Sequence, residues 1–187
     1  VLREVVSHAR AWVETAATTV VATKGIERHS FALMTDVVEQ ELRGHAVVAL
    51  SGPTFAAEVA NRLPTAVVAA SASASAAALV QQTFSAPHLR VYSTDDVIGV
   101  ELGGALKNVM AVAAGMSDGL GLGFNTRAAL ITRGLAEIMR LGLAMGAHPQ
   151  TFAGLAGVGD LVLTCTGALS RNRQVGLEIG RGATLPE

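Results

Sequence analysis

The residue with the most chemical potential is Lys107, set in Gly103-Gly104-Ala105-Leu106-Lys107-Asn108-Val109, a single cation in a run dominated by small and apolar residues. At helical spacing its neighbours are Gly103, Gly104, Met110 and Ala111, so the lysine rises beside a bare strip of backbone that leaves room for a ligand. An ammonium in an apolar wall needs an anion, a carbonyl or water, and a lysine partly withdrawn from water can be tuned toward acid/base work. Taken alone, the same lysine also reads as a buried stem with its head in solvent. The other reactive residues along the chain are what separate the two readings.

Thr23-Lys24-Gly25 offers a second cation beside a conformationally free residue. In Ser51-Gly52-Pro53-Thr54 the glycine permits close backbone approach, and Pro53 fits a first helical turn whose free amides are expected to face a ligand cleft. Gly157-Val158-Gly159-Asp160-Leu161 places a carboxylate after a flexible turn, open to a role as a helix cap or as a site residue. Ser170-Arg171-Asn172-Arg173 opens a helix, and a guanidinium with helix-end amides makes an anion clamp suited to phosphate; a solvated helix start is the alternative.

The elements that carry these residues follow from periodicity. Short β-branched runs over 18–22, 46–50, 65–70 and 89–93 alternate with helical patterns over 31–42, 54–60 and 74–84, which predicts parallel βαβ units. In an open parallel sheet the ligand edge lies at the carboxyl ends of the strands, where Lys24 and the Ser51 turn fall. Beyond Ser93 the pattern turns helical, over 97–116 after a cap at Asp95 or Asp96, 126–145 with Arg133 and Glu137 paired at four residues, 155–163 and 172–179. The predicted architecture is a sheet domain over 1–95 and a helical domain over 96–187, with Lys107 near their junction, where ligand clefts commonly form. Residues 1–13 carry Leu2, Val5, Val6, Ala9, Trp12 and Val13 on one helical face. That opening lacks a methionine, and 180–187 reads as a loop, so the chain is expected to be part of a longer one.

Composition removes several classes of function. Fourteen Lys and Arg against fifteen Asp and Glu give a formal net charge of -1, with no basic field for nucleic acid. The single Cys165 excludes an internal disulfide framework and fits a reducing, cytoplasmic compartment. The five histidines show no ligand spacing, so no metal site is expected. The uncharged stretch 63–89 is rich in Ala and Ser and broken by prolines and glutamines, so no transmembrane span is expected there.

Together, Thr23-Lys24-Gly25, Ser51-Gly52-Pro53-Thr54-Phe55-Ala56, Gly103 to Val109, Ile131-Thr132-Arg133-Gly134-Leu135-Ala136-Glu137, Gly157 to Leu161, Leu163-Thr164-Cys165-Thr166 and Ser170 to Arg173 resemble, in order and spacing, the motif series of the bacterial-type NAD(P)-dependent glycerol-3-phosphate dehydrogenases. The resemblance implies an α/β fold, part of a Rossmann-like parallel-sheet nucleotide domain followed by an all-helical domain. It implies interconversion of dihydroxyacetone phosphate and sn-glycerol 3-phosphate with NAD or NADP, feeding glycerophospholipid synthesis, and a homodimer for the full-length protein. Carried over by motif, Lys107 matches the catalytic acid/base. Lys24, Gly52, Thr54, Lys107, Asp160, Ser170, Arg171 and Asn172 match substrate-binding positions, and Lys24, Ala56 and Arg171 match cofactor contacts. A cation at Lys24 would lower a neighbouring lysine's pKa, while Asp160 and a substrate phosphate oppose that shift, and the sequence leaves the balance open. No Gly-x-Gly-x-x-Gly follows a strand within the 187 residues; Gly119-Leu120-Gly121-Leu122-Gly123 reads as a link between helices. The isolated chain is therefore expected to be inactive. The alternatives are another lysine-dependent β-hydroxyacid or ketopantoate-type dehydrogenase and, for the isolated chain, a non-catalytic oligomerisation module.

Overall fold

The structure, a computed structural model, describes residues 1–14 and 16–184. Strands β1 (Thr18–Val21), β2 (Ala46–Ser51), β3 (Thr65–Ala70) and β4 (Leu89–Thr94) lie side by side in that order. Helices α1 (Leu2–Ala9), α2 (Met34–Glu41), α3 (Ala56–Ala60) and α4 (Ala74–Phe84) accompany the sheet. The second half is helical: α5 (Val97–Gly119), α6 (Gly123–Ala144), α7 (Pro149–Phe152), α8 (Asp160–Thr166) and α9 (Arg171–Gly180), with a π-type turn over Leu155–Gly159 before α8. Of the closing loop expected over 180–187, residues 185–187 lie outside the described residues.

The sheet is mixed rather than parallel throughout. β1 and β2 are parallel, as are β3 and β4, but β2 and β3 run antiparallel with Ala49 opposite Ala70 and Ser51 opposite Val68. The reason is α3. Its five residues reach about 7.5 Å, against about 20 Å for a six-residue strand, so it cannot carry the chain back to the starting edge. The eleven residues of α4 can, and β4 returns parallel to β3.

Three helices start later or end sooner than periodicity predicts; the one expected over 54–60 begins at Ala56 after the cap position Phe55, which leaves Pro53 in the turn before it. The helix expected over 31–42 begins only at Met34, because Phe31 takes a left-handed φ of 57° and Asp36 Oδ2 accepts the Leu33 amide at 3.1 Å, fixing the start there. The opening helix stops at Ala9 and tightens into a 3-10 turn over Arg10–Trp12. Of the stripe expected on its face only Val6 is buried, against Val21, Met34, Val37 and Val38; Trp12 is 88% exposed.

Helix α5 is the axis of the second half. Asp96 caps it, accepting the Gly99 amide at 2.9 Å, and the same carboxylate accepts the His148 amide at 2.9 Å and the Thr151 hydroxyl at 2.5 Å, pinning α7 to the start of α5. By length and composition α5 could cross a membrane; here it is packed between the sheet and the other helices, with Leu102, Ala111 and Ala114 buried among Ile138, Phe152, Leu161 and Cys165. Each large side chain in that cluster contributes about 1.5–3 kcal/mol of burial. Small residues make the joint to the sheet, where Val100 of α5 meets Ala49, Ala70 and Ala156.

Candidate active site

The site forms where the carboxyl ends of β1 and β2 meet the middle of α5. Lys24 follows β1, Ser51 ends β2, and Gly104 of α5 lies between them: a Cβ at Gly104 would stand 2.9 Å from Ser51 Oγ and 3.4 Å from Lys24 Cδ. The glycine therefore clears the path by which Lys24 reaches across to the helical half. There its ammonium donates to Ser51 Oγ at 3.0 Å and to Asp160 Oδ2 at 2.8 Å.

Asp160 begins α8 and is 1% exposed. Its other oxygen, Oδ1, accepts from Lys107 Nζ, so one buried carboxylate joins both lysines. Thr164, one turn along α8, donates its hydroxyl to the Asp160 carbonyl at 2.6 Å. Gly103 and Gly157 bring this carboxylate to α5. A Cβ at Gly103 would sit 2.3 Å from the Ala156 carbonyl oxygen, and one at Gly157 would sit 2.3 Å from Phe152 Cα. Only two glycines let the π-type turn press onto both α5 and α7 and aim Asp160 at Lys107.

Asp160 can balance one of the two ammoniums, which leaves the buried cluster with a net positive charge. Lys107 responds. Burial first, and then the charge of Lys24, push its pKa down to about 8, against the pull of Asp160. Desolvation and cation repulsion therefore win the balance that the sequence leaves open. An amine with a pKa near 8 can both give and take a proton close to neutrality.

Lys107 stands at the base of a cleft of about 700 Å³ lined also by Thr54, Ala56, Ser170, Arg171 and Asn172. Ser170 caps α9, accepting the Arg173 amide at 3.3 Å. Asn172 donates to Asn108 Oδ1 at 2.9 Å, tying the rim to the residue after Lys107. Arg171 is exposed on the cleft and makes no ion pair among the described residues. Arg173, the last residue of the same motif, turns away from the cleft and pairs with Asp118 at 2.6 Å. Gly52, at φ 143°, is buried behind the cleft wall with its backbone against Val67, and its carbonyl accepts the Thr54 hydroxyl at 3.1 Å. Beside Lys24 and Ser51 a second recess of about 480 Å³ is walled by Ala22, Leu50, Ala56 and Val67.

The model of the NAD-dependent glycerol-3-phosphate dehydrogenase N-terminus matches residues 1–77, and that of its C-terminus matches residues 96–187. The chain belongs to the NAD-dependent glycerol-3-phosphate dehydrogenase family. It is 60% identical to the NAD(P)+ glycerol-3-phosphate dehydrogenase of Geobacter metallireducens over 191 residues, covering 100% of this chain and 57% of that one. The Citrifermentans bemidjiense relative of the same name is 57% identical, with 56% of its length covered. Among solved structures, the glycerol-3-phosphate dehydrogenase of Coxiella burnetii superposes with a TM-score of 0.94 at 45% identity, over 97% of this chain and 56% of that one. The chain thus spans rather more than half the length of these relatives, and its sheet is part of the family's Rossmann-type α/β layer.

Within this dehydrogenase-family site, sequence reasoning missed four participants: Ser51 as the hydroxyl that anchors Lys24, Thr164 behind Asp160, Asn108 behind Asn172, and Asp118 behind Arg173. Thr164 stands four residues after Asp160, a helical spacing that could have flagged it. The others are contacts between segments remote in sequence. Cys165, beside the site, is fully buried and its thiol is pushed up to about 11 by burial, consistent with a core residue.

Proposed function

We propose that the protein of which this chain is part interconverts dihydroxyacetone phosphate and sn-glycerol 3-phosphate with a nicotinamide coenzyme, NAD or NADP. The single observation that carries the reading is the Lys107–Asp160–Lys24 cluster, its carboxylate and Lys107 buried and Lys24 half-buried, behind a cleft that Lys107 lines together with Arg171 and Asn172. A net positive base and a guanidinium rim suit a small carbonyl compound with a phosphate at one end.

In this reading Lys107 faces the carbonyl oxygen. As negative charge builds there during reduction, its ammonium stabilises the oxygen and donates the proton; in the reverse direction the neutral amine takes the proton from the hydroxyl. Lys24 and Asp160 hold Lys107 in place and set its proton affinity, while Arg171, Asn172, Ser170 and Thr54 bind the phosphate end. Lys24, Ala56 and Arg171 would hold the coenzyme: the apolar recess beside Lys24 accepts a flat ring, and the exposed guanidinium accepts a phosphate oxygen. When bound, the coenzyme supplies or accepts the hydride at the carbinol carbon. The fold boundary near residue 95 supports a division into a nucleotide-binding part, 1–95, and a catalytic helical part, 96–187, and we extend the proposal to a homodimer in a reducing, cytoplasmic setting, which a single buried cysteine fits.

A substrate panel with the complete protein tests the reading. Dihydroxyacetone phosphate is expected to be reduced with a kcat/KM at least about a hundredfold above that of free dihydroxyacetone or ketopantoate, because a rim built for phosphate is left unpaired by either. Equal or better turnover of the unphosphorylated compounds would overturn it.

A further inference from the structure

Helix α9 carries Arg171 and Asn172, and something must hold it at the right height against α5. Much of the contact is backbone on backbone. A Cβ at Gly115 would lie 2.0 Å from the Arg173 carbonyl oxygen, and one at Gly119 would lie 2.4 Å from that of Leu177; on the facing side, Gly176 and Gly180 would collide with the Val112 and Met116 carbonyl oxygens at 2.0 and 2.5 Å. Glycines four residues apart on each helix thus let the two surfaces meet with no side chain interposed at these points. Such a contact is close but offers no directional bond at these points, so the side chains on either side of it must supply any specific tie between the helices.

Two polar ties cross the interface. One is Asn172 on Asn108. The other is Arg173, whose Nε and Nη2 donate to Asp118 Oδ2 at 3.1 and 2.6 Å. Asp118 is 13% exposed and also accepts Arg127 Nη1 of α6 at 2.9 Å, so α6 braces the carboxylate that α9 hangs from. Burial raises the Asp118 pKa, but the hydrogen bonds from Arg173 and Arg127 more than offset this and hold it below its ordinary value, so it stays ionised. Arg173 is also the residue whose amide the Ser170 cap receives, two positions from Arg171.

We infer that Arg173 and Asp118 form a positioning pair that sets the axial register of α9 and thereby aims Arg171 and Asn172 at the substrate's phosphate. The inference rests on the proposed reaction. Neither residue of the pair lines the cleft, so their effect on substrate passes through helix placement alone.

Steady-state kinetics on the complete protein test it with three variants, Asp118→Asn, Arg173→Met and Arg127→Gln, each against dihydroxyacetone phosphate and free dihydroxyacetone. Displacing a binding group by about an ångström costs on the order of 10- to 100-fold. With the coenzyme held at saturation, Asp118→Asn and Arg173→Met are therefore expected to raise the KM for dihydroxyacetone phosphate about 10- to 100-fold, with kcat within about threefold and kcat/KM for the free triose unchanged. Arg127→Gln, which loosens the brace on Asp118 but keeps both Arg173 contacts, is expected to raise KM clearly less than Arg173→Met does, and Arg173→Lys, keeping one charged contact, to fall between. An unchanged KM in Arg173→Met overturns the inference, as does an equal rise in Arg127→Gln, which marks a merely structural carboxylate. Should Asp118→Asn fail to fold, the Arg173 variants alone decide. A wild-type protein without preference for the phosphorylated triose would instead overturn the reaction itself, and the inference with it.

Discussion

Lys107 shows how one group can be buried beside an acid and still carry a lowered pKa. The Asp160 carboxylate attracts it, yet burial and the second ammonium of Lys24 outweigh that attraction and bring the pKa to about 8. The catalytic consequence has a definite sign. In the proposed reaction, reduction needs the ammonium, so its kcat/KM is expected to fall as the pH rises through about 8, while oxidation, which needs the neutral amine, rises through the same pH. Lys24→Met removes the repulsion and moves both limbs to higher pH, a shift read directly from initial rates across a pH series. A limb that stays in place, or moves down, contradicts the electrostatic account. The stability effect has its own sign. Between about 8 and 10.5 the folded chain binds fewer protons at Lys107 than the unfolded chain, so this group favours folding more as the pH rises across that window.

At the scale of elements, the site depends on helices packed closely enough for backbone to meet backbone. Gly176→Ala would put a Cβ 2.0 Å from the Val112 carbonyl oxygen, whereas a Cβ at Gly154 meets nothing nearer than 3.4 Å. Overpacking of the first kind costs typically 1–3 kcal/mol, roughly 2–12 °C in Tm for a chain of this size. Thermal unfolding is expected to show that loss for Gly176→Ala and much less for Gly154→Ala; equal Tm values would mean that the α5–α9 interface adjusts freely. Much of this level was legible in the sequence, because 3.6-residue and two-residue periodicities mark helices and strands directly: 65–70 and 74–84 form as expected. Strand direction was not. The pattern of 65–70 reads the same in either sense, and only the short reach of α3 decides that β3 runs back along β2. Nor does periodicity reveal Asp118 as the partner of Arg173, 55 residues away, since long side chains choose partners only once helices are packed.

For the whole molecule, the division of labour follows the joint between sheet and helices. The sheet edge delivers Lys24 and Ser51, the glycine strip of α5 clears their way to Lys107, the glycine turn before α8 supplies Asp160, and α9 closes the rim with Arg171. Sequence motifs located most of these residues, because each lies in a short stretch whose glycines and charges are unusual together. Their convergence on one carboxylate could be seen only in three dimensions. In the proposed reaction everything turns on Lys107 as the proton donor. Its most direct test is the turnover number of Lys107→Ala in the complete protein with dihydroxyacetone phosphate at saturation and the coenzyme in excess. A fall of at least about two orders of magnitude, with coenzyme affinity little changed, is the predicted result; turnover within a few-fold of wild type would show that another group moves the proton.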